Sequence, residues 1–450
     1  MPSGVFDSIL LRDSWSTEEL RAVFSDENRV QKWYDMEATL ASEQAAFGIV
    51  PHEAAGEIMR NAKVEKVDLA EIARAMGEAK HPLVPALRAL QKLCKPELGE
   101  WLHYGPTTQD ILDTGMALQL KEAHAIVLRD LRAVGRALFA LAERHRATPM
   151  VGRTHGVQAL PITFGHKCAI WLREVSRHRQ RLVEVEKRVF VGSLVGAVGT
   201  MASFGPKAVD LERQVLARLG LGQADISWQP ARDRFAEYAS VLGLVAGTLT
   251  KIASEVFALQ RTEIDEIEEP FNPGKVGSST MPHKRNPSIS EAMITVGRTL
   301  RYNVAIVQEA MVQVHERESA IWKMEWKALP EICLGLGFLL AQGINVLENL
   351  RVNPEKMRAN LDLLGGLLLS ERVMFALAEK LGKQTAHEVV YEAAMHAQEH
   401  GESFEIVLRR DARIAAVDLT PILDPTTYVG LAPELVDRAL AQTRAEGWLE

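Results

Sequence analysis

The sequence predicts an all-α protein, and three observations carry that reading. Hydrophobic spacing is helical nearly everywhere, no run of strict apolar–polar alternation is long enough to found a sheet, and the glycines and prolines fall between the periodic runs. The first segment, residues 1–111, reads as an N-terminal lobe of shorter helices. Its start signals include Ser16-Thr17-Glu18-Glu19, a hydroxyl cap followed by acidic residues in a first turn. From Thr114 to Arg144 the positions Val127, Leu131, Val134, Leu138 and Leu141 step by four and three, one stripe of a long bundle helix. Val245, Leu249, Ile252, Val256 and Leu259 repeat that stripe between Arg232 and about Ile267. Similar patterns occupy about 162–190, 288–317 and 331–350, so residues 112–354 read as a central long-helix bundle. Gly365-Gly366, Gly401, Pro421 and Pro425 break the remaining 355–450 into a small C-terminal helical lobe.

Composition narrows the function classes. In 450 residues, 52 Lys and Arg stand against 59 Asp and Glu, a net charge of −7 that argues against a strongly basic nucleic-acid binder. With 47% hydrophobic and 25% charged residues, this is the composition of an ordinary globular protein. Asp7, Arg12 and Asp13 interrupt what would be the apolar stretch of a signal peptide, and the longest apolar run, Ile332 to Ala341, is half of what crosses a bilayer. Cys94, Cys168 and Cys333 are too scattered for a disulfide framework or a thiolate metal site. A cytoplasmic location is the expectation, with no membrane and no nucleic-acid partner.

Four segments concentrate chemistry between the helices. In His103-Tyr104-Gly105-Pro106-Thr107-Thr108-Gln109-Asp110, two threonine hydroxyls precede a helix whose first N–H groups are free, a fit for a carboxylate or an ordinary N-cap. Gly152-Arg153-Thr154-His155-Gly156 flanks an imidazole with glycines, leaving it open for proton transfer or merely exposed in a turn. His81, in Lys80-His81-Pro82-Leu83, is a weaker candidate of the same kind. The loop from Gly274 to Pro287 packs Ser278, Ser279, Thr280, Lys275, His283, Lys284, Arg285 and Asn286 together, more reactive groups than a structural loop requires. A serine can serve there as a base if cations and the exclusion of water lower the cost of its alkoxide, with Lys284 and Asn286 holding developing negative charge. The order of residues needed for a phosphate-cradling P-loop is absent. His315-Glu316-Arg317-Glu318, near the end of a helical pattern, reads by itself as a solvated face. His396-Ala397-Gln398-Glu399-His400 matches a zinc pattern in spacing alone; no third ligand is evident, and histidines suit the last turn before Gly401.

Taken together, these segments resemble the fumarase/aspartase superfamily, which includes fumarase, aspartase, adenylosuccinate lyase, argininosuccinate lyase and 3-carboxy-cis,cis-muconate cycloisomerase. Gly277-Ser278-Ser279-Thr280-Met281-Pro282-His283-Lys284-Arg285-Asn286-Pro287 matches the GSSxMPxKxNP signature at every fixed position, and the likeness extends over nearly the whole chain. The resemblance implies a homotetramer with a twenty-helix core and active sites assembled from three chains. It implies reversible anti elimination or addition next to a carboxylate, through a dianionic aci-carboxylate and without metal or other cofactor. By the same resemblance Ser278 is the base, with Ser279 as the other holder of that role; His155 is the general acid and His81 a second active-site histidine. Thr107, Thr108 and Thr154 become substrate binders, Lys284 and Asn286 stabilise the aci-carboxylate, and Arg317 is a further anion contact.

The branch and substrate are a separate question. Trp322 to Glu331, Pro82-Leu83-Val84 and Tyr238 to Gly247 look most like the carboxymuconate cycloisomerase branch, acting on a di- or tricarboxylate. The alternatives are an adenylosuccinate-lyase-like cleavage of a C–N bond in an N-succinyl compound, with release of fumarate, and a catalytically silent structural protein. Arg12-Asp13-Ser14 departs from the R-Y-S element of adenylosuccinate lyase, and Lys327-Ala328 lacks its arginine. Ala231 stands where the usual pattern has a glutamine before Arg232-Asp233-Arg234.

Overall fold

The computed structural model describes residues 4–271, 274, 278–414 and 417–450, so Lys275, Val276 and Gly277 of the signature loop lie outside the described residues. The chain is all-α as the sequence predicts, with 66% helix and 4% strand. Six helices precede the bundle: α1 Glu18–Val23, α2 Asp26–Ala46, α3 His52–Asn61, α4 Leu69–Ala79, α5 Val84–Leu93 and α6 Pro96–Gly99. Then come α7 Thr108–Arg144, α8 Phe164–Val189, α9 Ala208–Arg218, α10 Asp233–Leu259, α11 Ser288–Glu309 and α12 Ser319–Glu348. The chain finishes with α13 Pro354–Asn360, α14 Ser370–Leu381, α15 Lys383–His400, α16 Phe404–Leu408 and α17 Ala432–Ala445. Two short antiparallel pairs interrupt the helices: β1 Pro149–Thr154 with β2 Val157–Thr163, and β3 Ile267–Glu268 with β4 Arg351–Val352.

The predicted stripes are the buried faces. Val127, Leu131, Val134 and Leu138 are fully buried and Leu141 nearly so, as are Val245, Leu249, Ile252, Val256 and Leu259. Each such side chain is worth roughly 1.5–3 kcal/mol when removed from water, which is why long helices of modest propensity hold. By length and composition α10 and α12 could cross a bilayer, but 56% and 72% of their apolar windows are buried within the chain.

The structure departs from the sequence reading at helix ends. The pattern at 288–317 stops at Glu309, because beyond it Met311, Val312 and Val314 are exposed and no apolar face is buried. His315 to Glu318 therefore lie in a loop, not on a helix face, with His315 in the left-handed region at φ 59°. The pattern to about Ile267 stops at Leu259, and Ile267 instead pairs with Val352. Conversely, α12 starts twelve residues before the proposed 331 and carries Pro330 in its interior, since burial of Trp322, Ala328, Leu329 and Ile332 outweighs the bond that proline removes. Thr17 occupies the N-cap of α1, but neither hydroxyl caps it; Ser16 Oγ donates to the Arg12 carbonyl.

By contacts the chain forms two compact units. One comprises residues 1–131, 177–250 and 293–341, and the other 132–176, 251–292 and 342–450. The first has a core that includes Trp33, Tyr34, Leu40, Leu83, Leu90, Ile111, Leu211 and Trp322. In the second, Val373, Leu377, Val389, Phe404, Leu408 and Leu419 pack around α14, α15 and α16.

Candidate active site

In the first unit the site begins with a buried carboxylate. Asp110, the third residue of α7, accepts through one oxygen from the Ser193 hydroxyl at 2.7 Å, the Val195 N–H at 3.1 Å and the Gln229 amide at 3.3 Å. Its other oxygen accepts from the Gly196 N–H at 2.9 Å and, in capping-box fashion, from the Thr107 N–H at 3.0 Å. Burial pushes the Asp110 carboxyl up, while these hydrogen bonds pull it back down. The result is a rigid start to α7 that presents Thr107 and Thr108 from fixed backbone. Gln229 also donates to the Gly196 carbonyl at 3.0 Å, so the buried amide nearest the exposed Ala231 is committed to structure.

His81, Thr107, Thr108 and Arg317 come together around that start. Arg317 donates to Thr107 Oγ1 at 2.7 Å, and His81 Nε2 lies 3.4 Å from Thr108 Oγ1. His81 Nδ1 receives the backbone N–H groups of Leu83 and Val84 at 3.2 and 3.1 Å, capping α5. A nitrogen that accepts two N–H bonds carries no proton, so the neutral ring holds its proton on Nε2, facing Thr108. Burial holds His81 below its ordinary value of 6.5, and nearby His103 adds to the effect. His103 is itself shifted upward: burial opposes its charge, but Glu37 Oε1, 2.6 Å from Nδ1, more than offsets that. Burial first, and the positive charge that His103 tends to carry second, therefore favour a neutral His81 with a proton to donate.

Behind these groups, Arg232 is buried between two carboxylates. It donates to Asp113 at 2.7 and 3.0 Å and to Glu325 at 3.0 and 2.5 Å, while Trp322 Nε1 donates to Asp113 at 2.8 Å. The network ties α7, α10 and α12 together beneath the Thr107–Thr108 turn.

In the second unit His155 sits at the tip of the β1–β2 hairpin, an exposed turn as the flanking glycines suggest, but one held between paired strands that helical periodicity does not predict. Thr154 pairs with Val157, leaving His155 and Gly156 as a two-residue turn with φ 54° and 80°. Positive φ at both positions is the type I′ geometry that suits the twist of a hairpin, and it leaves the imidazole exposed. The signal in the sequence is the alternation after Gly156, with Pro161 and its neighbours hiding it. Arg153, just before the turn, makes a two-pronged ion pair at 2.9 and 2.8 Å with the fully buried Glu266, which also accepts from Asn360 at 2.9 Å. Gly152 is required at the neighbouring bulge, since a Cβ there would lie 2.8 Å from the Leu160 carbonyl oxygen.

Ser278 and Ser279 share their loop with Lys284 and Asn286. Ser278 Oγ accepts from the backbone N–H groups of Thr280 at 3.3 Å and Met281 at 3.0 Å, and Lys284 N–H closes a turn onto the Met281 carbonyl at 3.0 Å. Two N–H groups aimed at one hydroxyl oxygen favour its charged form. Ser278 is half-buried and Ser279 and Lys284 are exposed. Just beyond, Glu269 accepts from the Ile289 and Ser290 N–H groups at 2.9 and 2.8 Å, fixing where α11 begins.

A family model described as "Lyase" matches residues 12–300, and one described as "Adenylosuccinate lyase C-terminus" matches residues 366–439. The chain belongs to the fumarate lyase superfamily. It is 49% identical, over the whole of both chains, to an N-acetyl-S-(2-succino)cysteine lyase of Enterococcus italicus. It is 40% identical to a 3-carboxy-cis,cis-muconate cycloisomerase of Pseudomonas aeruginosa, over 95% of each chain. Among solved structures, the 3-carboxy-cis,cis-muconate lactonizing enzyme of Pseudomonas putida superposes with a TM-score of 0.91 at 36% identity, covering 97% of this chain and 99% of that one. The protein is thus an enzyme of the fumarate lyase superfamily. Glu266 and Gln229 are supports that the sequence does not announce, whereas Asp110, at capping-box spacing from Thr107, and Arg232, in Arg232-Asp233-Arg234, stand within motifs named there without a structural role.

Proposed function

We propose that this enzyme releases fumarate from a 2-succino thioether of the N-acetylcysteine class, by anti elimination. Full-length similarity to a lyase whose name specifies that substrate carries the reading, at 49% identity against 40% for the cycloisomerase relative. The fumarate-releasing alternative is thereby favoured over cycloisomerisation, with sulfur rather than nitrogen as the departing atom.

The site residues fit this chemistry. Ser278, as an alkoxide stabilised by two backbone N–H groups, takes the proton from the succinyl carbon next to a carboxylate. Ser279 lacks that pair of bonds among the described residues and is the lesser candidate for base. The electron pair left behind is held as an aci-carboxylate by Lys284 and Asn286, then forms the carbon–carbon double bond as the C–S bond breaks. The sulfur leaves with the electrons of that bond and takes a proton from His155. His81 donates its Nε2 proton in a hydrogen bond toward the substrate bound at Thr108; Thr107, Thr108, Thr154 and Arg317 hold the carboxylates. No step calls on a metal or cofactor. The working form in this proposal is a cytoplasmic homotetramer with sites shared between chains, to which the exposure of Leu244, Tyr302, Met311 and Val312 in the single chain lends support.

Three substrates separate the readings: N-acetyl-S-(2-succino)cysteine, adenylosuccinate and 3-carboxy-cis,cis-muconate. The expected result is equimolar fumarate and thiol from the first. Loss of diene absorbance from the third with no fumarate from the first would replace this reading with cycloisomerisation, which the P. putida likeness favours; fumarate from adenylosuccinate alone would replace it with C–N cleavage.

A further inference from the structure

A cavity of about 210 Å³ opens between α2, α4, α7 and α12, within the first compact unit. We propose that it is the leaving-group pocket, built for a small N-acylated amino-acid thiol; the inference rests on the elimination just described. Pro82 lines the cavity directly after His81, whose Nε2 meets Thr108. Leu112 and Met116, one and two turns beyond Thr108 on the same face of α7, form its floor. A thioether whose carboxylates are held at Thr107 and Thr108 therefore directs its departing half into this space.

The wall formed by Trp326 stands edge-on to Trp322 at 4.9 Å between ring centroids, and Trp322 is tied through Nε1 to Asp113, itself clamped by Arg232. Trp33 supplies a second indole. The volume of about 210 Å³ lies below the roughly 300 Å³ at which sites for drug-sized ligands begin, a size that suits a small leaving group better than a nucleotide. The charged lining group is Arg29, whose outer side meets the exposed Asp26 at 2.6 Å. Lys323 lies 5.9 Å over the Trp326 ring. An N-acyl amino acid complements this set: its acyl group packs on the indoles and Met116, and its carboxylate meets Arg29. A free α-amine would instead bring a second cation into a lining whose charged group is Arg29, so the pocket selects the acylated thiol.

The test compares kcat/KM for fumarate release from four thioethers: N-acetyl-S-(2-succino)cysteine, its unacylated form, its N-benzoyl analogue, and 2-(methylthio)succinate, whose leaving group lacks the N-acyl amino-acid part that the cavity is proposed to hold. The unaltered enzyme is expected to prefer the acetylated over the unacylated form at least tenfold. Arg29→Gln should cut that preference several-fold, and Trp326→Ala should raise the benzoyl-to-acetyl ratio about tenfold; native mass and circular dichroism identify a variant that fails to fold, and the other variant then decides. Equal rates for acetylated and unacylated forms, or ratios unmoved by a folded variant, would overturn the pocket while leaving the elimination standing. Absence of fumarate from all four, 2-(methylthio)succinate included, would overturn the elimination and the pocket with it.

Discussion

His81 and Ser278 show how much of the chemistry is set by what surrounds a single side chain. Both are ordinary residue types whose backbone hydrogen bonds bias their chemistry: two N–H groups received at Nδ1 set the tautomer of His81, which burial keeps neutral, and two received at Oγ favour the ionised form of Ser278. Because the folded-state value of His81 lies below 6.5, its contribution to stability is complete above that pH and is lost as pH falls through the depressed value. His81→Ala removes the cap on α5 and should cost about 1 kcal/mol near pH 7. His81→Asn keeps an acceptor for the cap, so its thermal unfolding should match the unaltered protein at neutral pH and outlast it on acidification. If the two curves stay parallel below pH 6.5, the ring does not titrate as described. Ser278→Ala should lower turnover by about 10²–10⁴-fold with the fold intact, the range expected for loss of a proton-transfer group. The serine-rich signature made Ser278 a candidate in the sequence; the neutrality of His81 was not legible there, because the burial that causes it and the nearby His103 arise only in three dimensions.

At the scale of elements, the hairpin and the loop after α11 are where helical periodicity failed and where His155 and Arg317, two of the proposed site residues, lie. A two-residue turn with both φ values positive accepts histidine only at a conformational cost, and asparagine before glycine fits it better. His155→Asn should therefore hold or slightly raise thermal stability while lowering turnover by about 10²–10⁴-fold, a trade between stability and activity. The hairpin's anchor should behave oppositely. Arg153→Ala leaves Glu266 buried without its cation and should destabilise the fold by about 3 kcal/mol in chemical denaturation. A loss under 1 kcal/mol would mean that Arg153 is dispensable to the anchor. The long helices were legible because each of their stripes is buried against the core, so local pattern and tertiary packing agree. Glu309 as the end of α11, and Pro330 inside α12, depend on neighbours that no window of sequence contains.

For the whole molecule, the two groups of site residues belong to different stretches of one chain: His81, Thr107, Thr108 and Arg317 in one unit, Thr154, His155, Ser278, Ser279, Lys284 and Asn286 in the other. The all-α architecture was readable from helical periodicity and the superfamily from four motif segments with the signature loop among them, whereas the departing group was not, since the cavity that would hold it is lined from four helices far apart in sequence. The central claim is that neighbouring chains combine to pair the Ser278 base with the His81 and Thr108 carboxylate site. Co-expression of differently tagged Ser278→Ala and His81→Asn chains, followed by purification of the hybrid oligomer, tests it most directly. Each variant alone should be nearly inactive, while the hybrid should regain up to about a quarter of full fumarate release, because random assembly restores both residues in that share of sites. A hybrid that forms yet stays as inactive as its parents would contradict the account.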